Sequence, residues 1–243
     1  MEAVRRLALW NVDHTLVDVG RVTREAYAEA FQRVTGRPLV RLAPTAGRTE
    51  SEIIFDTLAF NDIATEDHHL PDFTKALAEA FAARRQSVRD HGRVLPGARE
   101  ALAAVGRLPG LVQSVLTGSI KPNAIVKLTE LGLDKYLDLE VGGYGSEVYS
   151  RAALIELARA QATRKYVEKT LGVVVVEPTT LLIADSARDV QAAKIAGVPI
   201  IAVATGTATA AELRGAGADV VLPALDDASA VVRAVDDLTR DAV

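Results

Sequence analysis

Leu7-Ala8-Leu9-Trp10-Asn11-Val12-Asp13-His14-Thr15-Leu16-Val17-Asp18 decides the fold. An apolar run of strand length stops abruptly at a polar cluster. Residues two apart on a strand point the same way, so Asn11 and Asp13 leave the strand end together. Thr15 follows two residues later, where the chain must turn. The run reads as a buried strand that delivers polar side chains at its carboxyl end.

Bulk composition sets the frame around that strand. At 243 residues the chain has room for one large domain, or a core with a smaller insert. Hydrophobic residues make up 49%, enough for a sizeable core, and the formal net charge of −4 argues against a general nucleic-acid binder. The absence of cysteine excludes disulfides, thiolate catalysis and Cys-ligated metals. Arg5 and Arg6 precede only a short apolar run that Asn11 and Asp13 interrupt, which does not make a signal peptide. No stretch has the length of a membrane span. A cytoplasmic protein without membrane or nucleic-acid partners is expected.

Further along, helical spacing predicts helices over Val22–Thr35, Glu50–Phe60 (opening at Thr49) and Pro71–Val88, with no strand between residues 20 and 90. Leu95-Pro96-Gly97 then makes a turn before a helix at Ala98–Val105. From there strands and helices alternate. Strands are expected at Leu111–Leu116, Leu137–Val141, Thr180–Ala184, Pro199–Ala204 and Asp219–Leu222. Helices are expected at Pro122–Leu131, Ala152–Tyr166, Val190–Ala196, Ala210–Arg214 and Ala228–Leu238. Alternation of this kind implies an α/β fold, a Rossmann-like parallel sheet covered on both faces. The helical block after the first strand reads as an inserted α-helical cap. The expected division is residues 1–18 and 92–243 for the core and 19–91 for the cap.

In open parallel sheets, ligands bind beyond the carboxyl ends of the strands. The polar residues fall there. Asn11 and Asp13 follow the first strand, Thr117-Gly118-Ser119 the second, and Asp185-Ser186-Ala187-Arg188-Asp189 the strand Thr180–Ala184. Asp13 and Asp185 facing each other would repel unless a cation lay between them, and oxygen donors without Cys or His suit Mg²⁺. Thr117 offers a hydroxyl, and the amides of Gly118 and Ser119 could cradle phosphate at a helix N-terminus.

The run Asn11-Val12-Asp13-His14-Thr15 resembles the Asp-x-Asp-x-Thr signature of haloacid dehalogenase-like (HAD) phosphohydrolases, and the resemblance extends over nearly the whole chain. It implies a Mg²⁺-dependent phosphatase acting on a small phosphorylated metabolite, by way of an aspartyl-phosphate. By the same resemblance Asn11 stands at the nucleophile position and Asp13 at the general acid/base. Thr117 is the phosphate-binding hydroxyl, with Gly118 and Ser119 beside it. Asp185 and Asp189 are acidic groups of the metal site, which also takes Asn11 and Asp13. The third-motif cation falls on Arg151 or Lys121, and Arg48, in Ala46-Gly47-Arg48-Thr49-Glu50, resembles a cap residue that contacts substrate. The second carboxylate, Asp13, favours phosphatase over dehalogenase chemistry, because an alkoxide leaving group needs a proton and a halide does not.

Asn11 departs from the signature at its most important letter. An amide oxygen is a poor nucleophile, and the change removes a negative charge from the metal site. Two accounts fit. Asn11 replaces an aspartate to trap a substrate complex, or the chain is a natural member that binds a phosphorylated ligand without hydrolysing it. Three other features carry bland readings. His14 packs or hydrogen-bonds within the signature loop, His68-His69 lies on a solvated loop, and Gly143-Tyr144-Gly145 is a flexible loop rather than a dinucleotide fingerprint.

Overall fold

The computed structural model describes residues 6–146, 150–167 and 179–240. Its centre is β1 (Arg6–Trp10), whose four residues Leu7 to Trp10 are fully buried, as a strand covered on both faces requires. β1 pairs in parallel with β4 (Leu111–Thr117) on one side and β6 (Thr179–Ala184) on the other, with Trp10 opposite Val115 and Ile183. β5 (Gly143–Tyr144) extends the sheet beyond β4, and β7 (Ile200–Val203) and β8 (Val220–Leu222) extend it beyond β6. The order β5-β4-β1-β6-β7-β8, parallel throughout, reverses direction at β1. That reversal is the switch point at which a cleft opens.

Helices α5 (Ala98–Val105) and α10 (Ala228–Arg240) cover one face of the sheet, packing Leu102, Val231 and Val235 onto Ala8, Trp10 and Ile183. On the other face α7 (Arg151–Ala162) and α8 (Ala187–Ile195) pack Ile155, Ala158 and Val190 against Leu7, Leu9 and Leu182. α6 (Lys121–Glu130) follows β4, and α9 (Ala210–Ala216) lies between β7 and β8.

The helical block contains α1 (Gly20–Thr35), α2 (Glu50–Phe60), α3 (His69–Ala83) and α4 (Arg85–His91). Tyr27, Phe31, Ile54, Leu58, Phe73, Leu77 and Phe81 give it a hydrophobic cluster of its own, to which α6 contributes Val126. Thr49 opens α2 with a capping box, its hydroxyl accepting from Glu52 N while the Glu52 side chain accepts from Thr49 N. A short antiparallel pair, β2 (Val17–Asp18) with β3 (Arg93–Val94), ties the two ends of the block together. Two residues per strand are too few for a periodic signal, so the sequence pattern does not reveal it.

Several expectations are corrected. The strand expected at Leu137–Val141 is irregular, and the edge strand is Gly143–Tyr144, where a loop was expected. Leu137 and Val141 are buried, which imitates a strand pattern, but their segment spends its carbonyls on side chains. Ser114 Oγ donates to Asp138 O, and Tyr144 Oη donates to Leu139 O. The helix expected over Pro71–Val88 is two helices, α3 and α4. The chain leaves helical geometry at Arg84, whose Nη1 donates to Ala80 O. The helix expected to reach Tyr166 is α-helical only to Ala162, and a π turn follows at Thr163–Val167. Among the described residues no helix is long and apolar enough to cross a membrane.

Candidate active site

A cavity of about 720 Å³ lies between the strand ends and the helical block. Core residues Asn11, Asp13, Thr117, Gly118, Ser119, Arg151 and Asp185 line it, and Tyr27, Arg48, Glu50 and Phe81 face it from the block. The polar residues expected at three different strand ends thus meet in one place, with two exceptions. Lys121 is not among the lining residues, its ammonium lying 5.2 Å from the centre of the Tyr144 ring. Asp189 is fully buried behind the cavity wall.

Asn11 is held at both ends of its amide. Nδ2 donates to Asp185 Oδ1 at 2.8 Å and to the Asp13 backbone carbonyl at 2.9 Å, while Oδ1 accepts from Arg151 Nη2 at 3.1 Å. Asp185 Oδ1 also accepts from Thr15 Oγ1 at 2.8 Å, which explains why a threonine ends the signature loop. Burial pushes the Asp185 carboxyl up to about 6, with the nearby Asp189 charge adding to the shift. His14 adopts a left-handed backbone, φ 64°, to turn the loop, and its carbonyl accepts from Thr205 Oγ1.

Asp13 turns its carboxylate elsewhere. Lys127 Nζ bonds both of its oxygens, at 2.8 and 2.7 Å, and donates to Ser119 Oγ at 2.8 Å; Ser119 Oγ in turn donates to Asp13 Oδ2. The Lys127 side chain is 2% exposed and lies 5.3 Å from the Phe81 ring centre. Arg151 forms an ion pair with Asp189 and so reaches Asn11 as a positioned group. Thr117 Oγ1 accepts from Ser119 N at 3.1 Å, fixing the loop that leads into α6.

The block closes tightly over this loop. A side chain at Gly118 would collide with the Arg48 carbonyl oxygen, and one at Gly145 would come within 2.8 Å of Glu50 N. Only glycine permits that approach of two backbones. Arg48 itself forms an ion pair with Asp56 at the cavity wall. Glu50 reaches down from the start of α2 to accept from Ile120 N at 3.3 Å, and the Tyr27 hydroxyl also donates to it. Burial pushes the Glu50 carboxyl up to about 7, against the opposing influence of Lys127 and the Ile120 amide.

Charge and donor type test the expected Mg²⁺ site. The Asp13–Lys127 and Asp189–Arg151 pairs cancel, which among the described residues leaves Asp185 as the carboxylate beside Asn11 without a cationic partner. The Asn11 amide nitrogen, a donor, lies between the Asp185 carboxylate and the Asp13 carbonyl, the two oxygens that a cation would have to share. Among the described residues no group of three or more His, Cys, Asp or Glu could hold a metal ion. The set Asn11, Asp13, Asp185 and Asp189 therefore does not fit a divalent cation in this chain.

Sequence reasoning missed Lys127 and Glu50. Lys127 had a signal, because it stands between Val126 and Leu128 on a helix with Ala124 buried one turn earlier, where a lysine needs a partner. Glu50 had none, since an acidic residue in the first turn of a helix is ordinary.

The profile of the haloacid dehalogenase-like hydrolases matches residues 8–194, from β1 to the end of α8. The chain belongs to that family. No curated protein matches it. Solved structures of the HAD fold agree. CbbY from Rhodobacter sphaeroides, solved in complex with phosphate, is 22% identical with a TM-score of 0.67, over 96% of this chain and 100% of that one. A hydrolase from Pseudomonas syringae is 18% identical with a TM-score of 0.65, over 97% and 99%. A haloacid dehalogenase-like family protein from Streptococcus pneumoniae is 16% identical with a TM-score of 0.61, over 93% and 97%. At such identities the likeness is one of fold, and this HAD chain's chemistry rests on its own residues.

Proposed function

We propose that this HAD-family chain binds a small phosphomonoester in a phosphatase-type site and does not turn it over by the covalent route. The observation that carries the reading is the tethered amide of Asn11. Covalent hydrolysis needs a carboxylate oxygen to attack phosphorus, forming an acyl phosphate as the ester oxygen leaves. The Asn11 oxygen carries no charge and accepts from Arg151, and its nitrogen is committed to Asp185 and Asp13. Loss of a covalent nucleophile costs on the order of 10⁶-fold in turnover in enzymes where it has been removed.

The rest of the site supports phosphate binding. Thr117, Gly118 and Ser119 lead into the N-terminus of α6, where backbone amides and the helix dipole favour an anion. Arg151 borders the same space with a guanidinium suited to phosphate oxygens. Asp13, held by Ser119 and Lys127 at the cavity, is the residue that would serve as acid/base in a phosphatase. Isothermal titration of the unaltered chain with inorganic phosphate, paired with a phosphate-release assay on p-nitrophenyl phosphate, tests the proposal. Saturable binding without release is the expected result. Release at rates usual for an enzyme would overturn it, as would absence of binding.

A further inference from the structure

Five Lys and Arg side chains line the cavity: Arg24, Arg41, Arg48, Lys127 and Arg151. Four of them are committed. Lys127, Arg151 and Arg48 form ion pairs with Asp13, Asp189 and Asp56, and the Arg41 guanidinium lies 4.3 Å from the centre of the Phe60 ring, outside the lining. Arg24 is exposed and forms no hydrogen bond, ion pair or ring contact with the described residues. The sequence explains why. Side chains on a helix pair three or four residues apart, and those positions around Arg24 hold Gly20, Arg21, Tyr27 and Ala28, none of them acidic.

Helix geometry also sets where Arg24 stands. The α1 residues that line the cavity are Gly20, Thr23, Arg24, Tyr27 and Ala28. At about 100° per residue they form one stripe, and Arg24 falls inside it, not at its edge. Tyr27 is buried and Arg24 is exposed, so the stripe runs from the closed interior out to solvent, with a free guanidinium at the open end. No carboxylate of the lining neutralises it. Asp13 is held by Lys127, Asp185 by Asn11 and Thr15, and Glu50 by Tyr27 and the Ile120 amide. A cavity of about 720 Å³ is in the range that encloses ligands much larger than phosphate, so a phosphate at Thr117–Ser119 leaves room for the rest of an ester.

We propose that Arg24 is a specificity-determining residue whose guanidinium binds a second anionic group of the phosphorylated ligand, a carboxylate or a second phosphate. The inference rests on phosphomonoester binding at Thr117–Ser119. The planar fork of a guanidinium matches the paired oxygens of either anion. A neutral end group would leave Arg24 to water and gain nothing from it.

The test is isothermal titration with two ligand series, each member compared with the straight-chain alkyl phosphate of the same length. One series is the phosphate esters of ω-hydroxy carboxylic acids with one to four methylene groups; the other is the bisphosphates of α,ω-diols with two to five carbons. In at least one series a member should bind the unaltered chain about tenfold or more tightly than its alkyl counterpart, as hydrogen bonds between charged groups do, and the series that shows it identifies the anion. In Arg24→Gln that ratio should fall toward one while inorganic phosphate keeps its affinity. Arg21→Gln removes the same charge from an exposed position of α1 outside the lining, and it should leave the ratio intact. The assignment is overturned if neither series is preferred, if the preference survives in Arg24→Gln, or if Arg21→Gln abolishes it equally, which would make it an effect of net charge. The unaltered-chain comparison decides the matter should a variant fail to fold. Failure of inorganic phosphate to bind would instead strike the underlying phosphomonoester reading, so the two failures are distinct.

Discussion

Replacing Glu50 by Gln should stabilise the protein at alkaline pH and leave it nearly unchanged at acidic pH. Glu50 is buried at the junction of α2 with the loop before α6, and its carboxyl is raised from 4.5 to about 7, chiefly by burial. Below pH 4.5 the carboxyl is protonated both folded and unfolded, and it contributes nothing to the pH dependence. Between 4.5 and 7 the unfolded chain ionises while the folded protein keeps the proton, so stability falls as pH rises. Above 7 both are ionised and the loss is complete. At about 1.4 kcal/mol per pH unit, this amounts to about 3 kcal/mol. Glutamine has no charge to bury, and its carbonyl can still accept from Ile120 N. The gap between Glu50→Gln and the unaltered chain should thus open from near zero at pH 4.5 to about 3 kcal/mol at pH 8. For a chain of this size that is roughly 6–12 °C in melting temperature. Thermal unfolding followed by circular dichroism across pH 4.5–8.5 measures it, and taking the difference cancels every other titrating group. A gap that does not change with pH, or a variant less stable at pH 8, would refute the reasoning.

Two further variants probe the same junction. Lys127→Met leaves the Asp13 carboxylate without its cation; because Asp13 keeps some contact with water, the cost should be about 1–3 kcal/mol, below that of a fully buried pair, and inorganic phosphate should bind at least about tenfold more weakly by titration. Gly118→Ala drives a methyl group into the Arg48 carbonyl, so residues 44–50 should exchange amide hydrogens faster and the melting temperature should fall, whereas Gly215→Ala, with open space around it on α9, should do neither.

The parallel sheet was legible because β1, β6 and β7 carry buried apolar runs, Leu7–Trp10, Leu181–Ala184 and Ile200–Val203, whereas β4 interrupts its run with Gln113 and Ser114. The convergence of Asn11, Asp13, Thr117 and Asp185 was legible because strand ends at a switch point have few places to go. What escaped was set by tertiary contacts. The edge strand at Gly143–Tyr144 depends on the Leu154 carbonyl of α7, which leaves no room for a side chain at Gly143. The Lys127–Asp13 pair joins residues 114 apart. The direction in which the Asp13 carboxylate points follows from that pair, and the strand pattern alone aimed it at Asp185.

Asn11→Asp tests the central claim most directly. On the proposed function, Thr117–Ser119 bind phosphate, Asp13 is the acid/base and Arg151 the positioned cation, and Asn11 stands where the nucleophile would be. The substitution also places a second carboxylate beside Asp185, supplying oxygen donors suited to Mg²⁺ in place of the amide nitrogen. With Mg²⁺ present, Asn11→Asp should release phosphate from p-nitrophenyl phosphate at least about 10³-fold faster than the unaltered chain, a conservative share of the roughly 10⁶-fold that a covalent nucleophile supplies. A folded Asn11→Asp protein, shown by titration to bind Mg²⁺, that leaves the ester intact would contradict the account.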